Sequence, residues 1–442
     1  MFDIQKSILM QTVFSCKTTG NTEEAKTFLN TASKYCFQLE TLDEISYLQS
    51  EIKDYSGCID SLQRCLKMAT MPQQQYAIRA NLAKVYNHLN QPNLSIEQSK
   101  LNQEIEPQKD YNTIMEISFS HYLLGDYITS EKMMRELNDD PNTPEVIRNR
   151  VAYNLGSYDM EKGEFKKGLK GFIDVGHRIG IWKHRSFENI PEWDGKITPG
   201  KTLFIHAEGG IGDEIIGVRF VKQLVEKGMR CIWITNHSPL QEVFNRNGYE
   251  TVVHVNPFEY DDTVQCMAMY LPILMNLDKD QVWNGPYLQP SQEYIEKWKK
   301  ILPEGKKLAV KFSGNSNYEQ DLHRSIPVEF MLNLKYDGTL INLQLEPENY
   351  REDMFNAGEH ISNIEDTLAL LWLCDSFVSS CTSVVHMAAS MGKNGVVCPP
   401  IASYYVWLGT DGYSNWYDKS LKVVRQTKYK DWNFSDKVKQ LL

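Results

Sequence analysis

Up to about residue 185 the chain reads as helix after helix, with polar turns between and very little strand character. From about residue 200 the texture changes. Short apolar runs, "TLFIHA", "RCIWITN", "TVVHV", "LAVKFSG", "GTLINLQ", "CDSFVSS" and "NGVVCPP", alternate with helical stretches. Continuous apolar strands separated by helices predict parallel α/β sheets covered on both faces. Three runs precede the polar connector "GPYLQPSQEYIEKWKKILPEG" and four follow it. Two doubly wound halves are therefore expected, with a cleft where the carboxyl ends of the two sheets meet. The predicted boundaries are a helical region over 1–185, a first α/β half over 186–295 and a second over 296–442 that includes a closing tail.

A repeat appears when the turns of the helical region are aligned. "KDYSGC", "NQPNLS", "LGDYITS" and "KGEFKKG" each place a turn before a ring, at Tyr55, Pro92, Tyr127 and Phe165. A small residue follows three positions later, at Cys58, Ser95, Ser130 and Gly168. Successive ring positions lie 37, 35 and 38 residues apart, close to the ~34-residue period of tetratricopeptide repeats. The region resembles such an array, in which the small residue lets paired helices approach and the ring fills their turn. An array of this kind either stabilises its neighbour or offers a concave surface to a partner or acceptor.

Composition narrows the function classes. The 442 residues are 42% hydrophobic, enough for two or three domains with real cores. With 57 acidic against 47 basic residues the formal charge is -10, which disfavours a general nucleic-acid binder. The amino end lacks the pattern of a signal peptide, and no apolar run approaches the ~18 residues of a membrane span. Nine scattered cysteines, without CxxC pairs, read as reduced thiols and a cytoplasmic location.

Three turns carry candidate chemistry. The first is "HAEGGIGDEIIGVRF", residues 206 to 220, directly after an apolar strand. Gly210 and Gly212 are followed by Ile215 where a dinucleotide fingerprint needs its third glycine, and the GK[ST] ending of a P-loop is missing. Asp213 is expected at the carboxyl end of the strand, as a reactive group or as a helix cap. Glu214 reads as a first-turn complement to the helix dipole. The second turn, "KFSGNSNYEQDLHRSIP", gathers Lys311, Ser313, Asn315, His323 and Arg324, a set suited to a diphosphate or to an ordinary solvated loop. The third, "CDSFVSSCTSVVHMAASMGKNGVVCPP", puts Thr382 and Ser383 at a helix start whose free amides favour an anion, with His386 one turn later.

Taken together with "INLQ" and the tail "WLGTDGYSNWYDKSLKVVRQTKYKDW", these blocks resemble tetratricopeptide-fused glycosyltransferases related to the lipopolysaccharide heptosyltransferases. The resemblance covers residues ~200 to 442. It implies a GT-B fold of two Rossmann-like halves, no cofactor and no obligatory metal. A nucleotide sugar would bind mainly to the second half and the acceptor to the first. By the same resemblance Asp213 is the general base and Gly209, Gly210 and Gly212 form the acceptor-side turn. Ser313, Asn315, Arg324, Gln344, Thr382, Ser383 and His386 are the donor-binding positions. Where relatives carry an aspartate before "TS", this chain has Cys381, and a thiol cannot replace a carboxylate's charge. The tail is expected to pack across the junction of the halves.

Without a metal, helix amides and a basic side chain must stabilise a departing nucleoside diphosphate, while a carboxylate takes the acceptor proton. The acceptor is left open among a glycan or lipid-linked glycan, a protein bound by the repeats, and a modified DNA base. A catalytically inactive binding scaffold is the alternative from a different class.

Overall fold

The computed structural model describes residues 9–11, 14–15, 21–105, 110–181, 185–315, 318, 321–345, 353–409, 412–433 and 435–442. They form two compact units, Met1–Ile147 and Arg148–Leu442.

The first unit is built of helices α1 (Thr22–Tyr35), α2 (Leu39–Glu51), α3 (Tyr55–Met68), α4 (Pro72–His88), α5 (Pro92–Ile105), α6 (Tyr111–Leu123) and α7 (Tyr127–Asp139). A further hairpin, α8 (Glu145–Glu161) and α9 (Phe165–Arg178), repeats the pattern. All four ring positions are the first residue of a helix. Two positions earlier the backbone turns left-handed at Lys53, Asn90, Gly125 and Gly163, with φ of 62°, 53°, 83° and 82°. The next amide, at Asp54, Gln91, Asp126 and Glu164, reaches back to the carbonyl of Gln49, Tyr86, His121 and Asp159. That bond closes the preceding helix and fixes the angle at which the next one starts. The small positions do what their size requires: Cys58, Ser95 and Ser130 are buried, and a Cβ on Gly168 would lie 2.6 Å from the Gly156 carbonyl.

The repeat runs to residue 178, but the first compact unit ends at Ile147, short of the boundary expected near 185. Packing explains the difference. Phe165 and Phe172 of α9 lie against Trp416 and Tyr405, with ring centroids 5.8 and 5.5 Å apart. Glu161 at the end of α8 accepts from Arg425 Nη1 at 2.6 Å. The last repeat is thus part of the α/β body's core.

That body holds two parallel sheets, so the fold class is a helical repeat array followed by two α/β halves, as the change in periodicity predicts. The first sheet has the order β3-β2-β1-β4, from β1 (Thr202–His206), β2 (Arg230–Ile234), β3 (Thr251–Val252) and β4 (Thr263–Met267). Helices α10 (Ile211–Glu226) and α11 (Ser238–Arg246) make the crossovers from β1 to β2 and from β2 to β3. Its two faces differ from the expectation of helices on both sides. Leu203, Ile205, Cys231 and Trp233 join the main core. Phe204, Ile232 and Ile234 on the other face meet Phe187, Ile190, Val255 and Tyr260. Among the described residues, the segments between α9 and β1 and between β3 and β4 contain no α-helix, and non-helical chain lies on this face.

The second sheet runs β10-β9-β8-β5-β6-β7, from β5 (Lys307–Lys311), β6 (Thr339–Asn342), β7 (Met354–Asn356), β8 (Ser376–Ser380), β9 (Gly395–Cys398) and β10 (Leu421–Val423). Alternation along β5 sends Ala309 to the main core and Leu308 and Val310 to a second core with Phe330, Met331 and Val438. Helix α12 (Gln292–Lys299), drawn from the polar connector, packs on α13 (Ile364–Leu373), and the Trp298 indole donates to Asp366 at 2.9 Å.

The halves are joined through the tail, as expected. Arg219 of α10 is buried, donating from Nε to the Ile216 carbonyl at 2.8 Å, from Nη1 to the Trp416 carbonyl and from Nη2 to the Tyr287 hydroxyl at 3.0 Å. Its guanidinium lies 4.6 Å from the Tyr417 ring centroid, a desolvated cation held by ring faces and carbonyls. Arg219→Leu strands those acceptors, and a buried acceptor left unsatisfied costs about 1–3 kcal/mol. The expected loss is about 3 kcal/mol, read from the denaturant midpoint; a loss below about 1 kcal/mol would contradict the latch.

Candidate functional site

The site begins at the turn from β1 into α10. Gly209 takes φ +70°, and a side chain there would collide with the Asp213 carboxylate. Asp213 Oδ2 accepts from the Gly210 amide at 2.7 Å, so Asp213 does cap its own helix. The other oxygen, Oδ1, accepts from the Tyr404 hydroxyl at 2.5 Å, in the connection between β9 and β10 of the second sheet. The helix-cap reading is thus seen on one carboxylate oxygen, while the other makes a contact across the junction. Burial holds its carboxyl above the ordinary aspartate range, against the Tyr404 and Gly210 hydrogen bonds and with the help of Glu208 and Glu214.

Of the three glycines, Gly209 is needed for its backbone and Gly212 for space. A Cβ on Gly212 would lie 2.8 Å from Cδ2 of His386 and 3.6 Å from the Ser383 Cα, because α10 packs directly on α14 (Ser383–Ser390). Gly210 has nothing nearer than 3.8 Å. Gly212→Ala should lower stability by about 1–3 kcal/mol through overpacking, while Gly210→Ala stays within about 1 kcal/mol. Equal denaturation midpoints for the two variants would contradict this packing.

Glu214 is not a solvated complement to the helix dipole. It is fully buried and accepts from the Trp233 indole at 3.0 Å, the Thr235 hydroxyl at 2.6 Å, the Asn236 amide at 3.0 Å and His237 Nδ1 at 2.7 Å. The hydrogen bond to Glu214 raises the His237 pKa, against burial. Buried carboxylates need such a shell. Here it ties α10 to the carboxyl end of β2.

Across the junction, α14 starts at Thr382 in extended backbone with no side-chain cap. The first amides of a helix have no intrahelical partner, so they present donors and a positive dipole end. Thr382 is buried, with its hydroxyl 3.4 Å from that of Ser379. His386 does not open onto solvent. It stacks on Trp407 with centroids 5.5 Å apart, and its Nδ1 lies 2.6 Å from the Tyr417 hydroxyl. Burial first, then Arg219 and Arg324, depress its pKa to about 3, so the ring is neutral at any working pH. His386 thus wedges the two helix starts together.

Arg324 completes this side. Its Nε donates to Asp321 at 2.8 Å and its Nη1 to the Cys381 carbonyl at 3.0 Å, while its guanidinium lies 4.5 Å from the Tyr318 ring centroid. A side chain at Gly314 would run into that guanidinium. Ser313 and Gln344 hold each other, the amide of Gln344 donating to the Ser313 hydroxyl and its oxygen accepting from the Ser313 amide at 3.4 Å. Asn315 is exposed, and its carbonyl accepts from the Tyr318 amide at 2.9 Å. Residues 316, 317, 319 and 320 of this loop lie outside the described residues. Lys311 Nζ donates to the Leu343 carbonyl at 3.2 Å. Burial lowers its pKa to about 8, Asp321 opposing and Arg324 assisting.

Cys381 is buried, and its sulfur accepts from the Trp407 indole at 2.9 Å. Burial pushes the thiol up to about 11, against that bond and Arg324. It is an uncharged packing element. The eight cysteines among the described residues are all free.

Four contributors were not legible from spacing: Tyr404, Glu208, Arg219 and His177. Glu208 Oε2 accepts from the Met269 amide at 3.0 Å, and His177 Nε2 of α9 lies 3.0 Å from Glu208 Oε1. Glu208 follows β1 just as Asp213 does, so its position at a strand's carboxyl end was a usable signal. Leu169 and Ile173 of α9, Glu208, Asp213 and Tyr405 line a cavity of about 10 Å³, room for about one water. The last repeat thereby forms one wall beside Asp213.

No known protein family and no curated protein matches this sequence. Solved structures match at low similarity. An O-GlcNAc transferase mutant from Thermobaculum terrenum is 12% identical, with a TM-score of 0.38, covering 99% of this chain and 92% of that one. A tetratricopeptide repeat protein from Parabacteroides merdae is 13% identical, covering 40% and 74%, with a TM-score of 0.27. MamA from Desulfovibrio magneticus RS-1 is 17% identical, covering 40% and 96%, with a TM-score of 0.28. Scores this low carry no functional inference. Among the described residues no cluster of acidic, histidine and cysteine side chains could hold a metal, and no helix is long and apolar enough to cross a membrane.

Proposed function

We propose that the α/β body is a metal-independent glycosyltransferase of the GT-B type, moving a sugar from a nucleotide donor to an acceptor hydroxyl. One observation supports the reading above the others. A carboxylate on the first half, Asp213, and an uncapped helix start with a permanent cation on the second, Thr382–Ser383 and Arg324, meet at one junction. Glycosyl transfer from a nucleoside diphosphate needs that pairing: donors for the departing phosphates and a base for the incoming hydroxyl.

In this reading the phosphates lie on the α14 amides and Arg324, with Lys311 as a second cation. Ser313 and Gln344 brace the loop, Asn315 faces the nucleotide, and His386 positions rather than touches it. Asp213 takes the acceptor proton, with Tyr404 orienting the carboxylate. The resemblance of the sequence blocks to heptosyltransferase-like enzymes supports sugar-transfer chemistry, and the helical repeats present a glycan or protein acceptor from a cytoplasmic pool.

Cys381 favours a second reading, a binding scaffold without activity, because its thiol accepts from the Trp407 indole at the position where the resemblance implies an aspartate. The experiment is a panel of UDP-, GDP-, ADP-, CMP- and dTDP-sugars, each incubated with the full chain and assayed for nucleotide released by hydrolysis, water taking the sugar in the acceptor's place. Turnover of one donor is expected. No release from any donor would leave the scaffold.

A further inference from the structure

We infer a second binding site, for a sugar-sized anion bearing one phosphate or carboxylate, on the helix-free face of the first sheet. A cavity of about 360 Å³ opens there, at the carboxyl ends of β1, β2 and β3. That volume is in the range of small-ligand pockets, and carboxyl ends of parallel strands are where α/β sheets bind ligands. Its floor is apolar, from Phe187, Ile234 and Val255, and its polar groups are Arg185, Ser186, His206, Thr235, Asn236 and His254. No carboxylate is among the lining residues, although the chain carries ten more acids than bases.

The donors point to an anion. Arg185 spends one nitrogen, Nη1, on the Asn236 side chain, while its Nε and Nη2 have no protein partner among the described residues. The same holds for the His254 ring and the Ser186 hydroxyl, both at the exposed rim. The back wall is fixed in one tautomer. Gln265 Nε2 donates to the Phe187 and Ile190 carbonyls at 3.1 and 2.8 Å, so its oxygen faces His206 and accepts from Nε2 at 3.0 Å. Asn236 is held by its side-chain donation to the Ala207 carbonyl at 2.7 Å. The nearest buried acid, Glu214, is spent on Thr235, the Asn236 amide, His237 and Trp233. A guanidinium fork and an imidazole around a braced, acid-free cavity suit a phosphate or carboxylate, and the apolar floor suits the face of a sugar ring. Nothing here depends on glycosyl transfer.

The test titrates the full chain with glucose 6-phosphate, glucuronate and glucose, followed by calorimetry and by the His254 ring resonances. At least one anionic probe should saturate and shift His254, and glucose should not. Phosphate-only or carboxylate-only binding names the source. Arg185→Gln and His254→Gln should each weaken that probe about tenfold or more, the loss of a charge-assisted hydrogen bond, with an unchanged circular dichroism spectrum. His254 is exposed and has no hydrogen bond, ion pair or ring contact among the described residues, so its replacement should leave the fold intact. No saturation by either anion, equal binding of glucose, or full affinity in both variants would overturn the site.

Discussion

Asp213→Asn should cut transfer about 10²–10⁴-fold, the usual contribution of a positioned general base, while donor binding and the melting temperature stay near those of the parent. The expectation of an intact fold follows from the site. Asparagine keeps an oxygen that accepts from Gly210 or Tyr404. The carboxyl's raised pKa also means that its charged form is the less comfortable one in the folded chain. A group of this kind stabilises the fold when protonated and loses that contribution as pH rises, so removing its charge costs little at neutral pH. Activity has the opposite sign, because the base must be ionised. The parent's rate should therefore fall on acidification at a pH above the ordinary aspartate value of 3.8. Tyr404→Phe removes the orienting hydroxyl and should lower the rate less than Asp213→Asn. Near-parental turnover in Asp213→Asn would end the general-base assignment.

Arg324→Ala has the second large effect, on the donor rather than the acceptor. The guanidinium is positioned by Asp321, the Cys381 carbonyl and Tyr318, so it meets a diphosphate without further ordering. Hydrogen bonds to a charged partner contribute about 1.5–3 kcal/mol each, so affinity for the nucleoside diphosphate should fall about 10- to 100-fold. Arg324→Lys should recover only part, since an ammonium cannot reproduce the planar fork. Lys311 adds a pH dependence of defined sign. It loses its charge as pH rises through about 8, so donor affinity should weaken on the alkaline side in calorimetric titrations. A flat profile from pH 7 to 9.5 would remove Lys311 from the phosphate site.

Much of the architecture was legible because it rests on local patterns. The ring and small positions of the repeat mark real helix starts and close approaches, since Gly168 and the buried serines leave no alternative at those contacts. Apolar runs identified β1, β2, β3, β5, β6, β8 and β9, although β3 is only Thr251–Val252 of "TVVHV". Three strands escaped: β4, interrupted by Gln265, and the three-residue β7 and β10. Gln265 was unreadable because its polarity serves His206 and the Phe187 segment across the sheet. The site divides in the same way. The glycine turn and the α14 start are set by neighbours in sequence. Tyr404 reaches Asp213 from 191 residues away, and Arg219 meets Trp416 across 197, so no spacing rule relates them. Glu214 differs from its expected role for a similar reason: whether a first-turn acid is solvated or buried depends on where β2 ends.

The most direct test of a nucleotide-binding junction is thermal denaturation of the full chain with each of the nucleoside diphosphates and their sugars. A ligand that binds the native state at a hundred times its dissociation constant adds about 2.7 kcal/mol. One base should raise the melting temperature by several degrees, and that rise should vanish in Arg324→Ala. An unchanged melting temperature with every nucleotide, or an equal rise in Arg324→Ala, would contradict a donor site at Arg324 and the α14 amides.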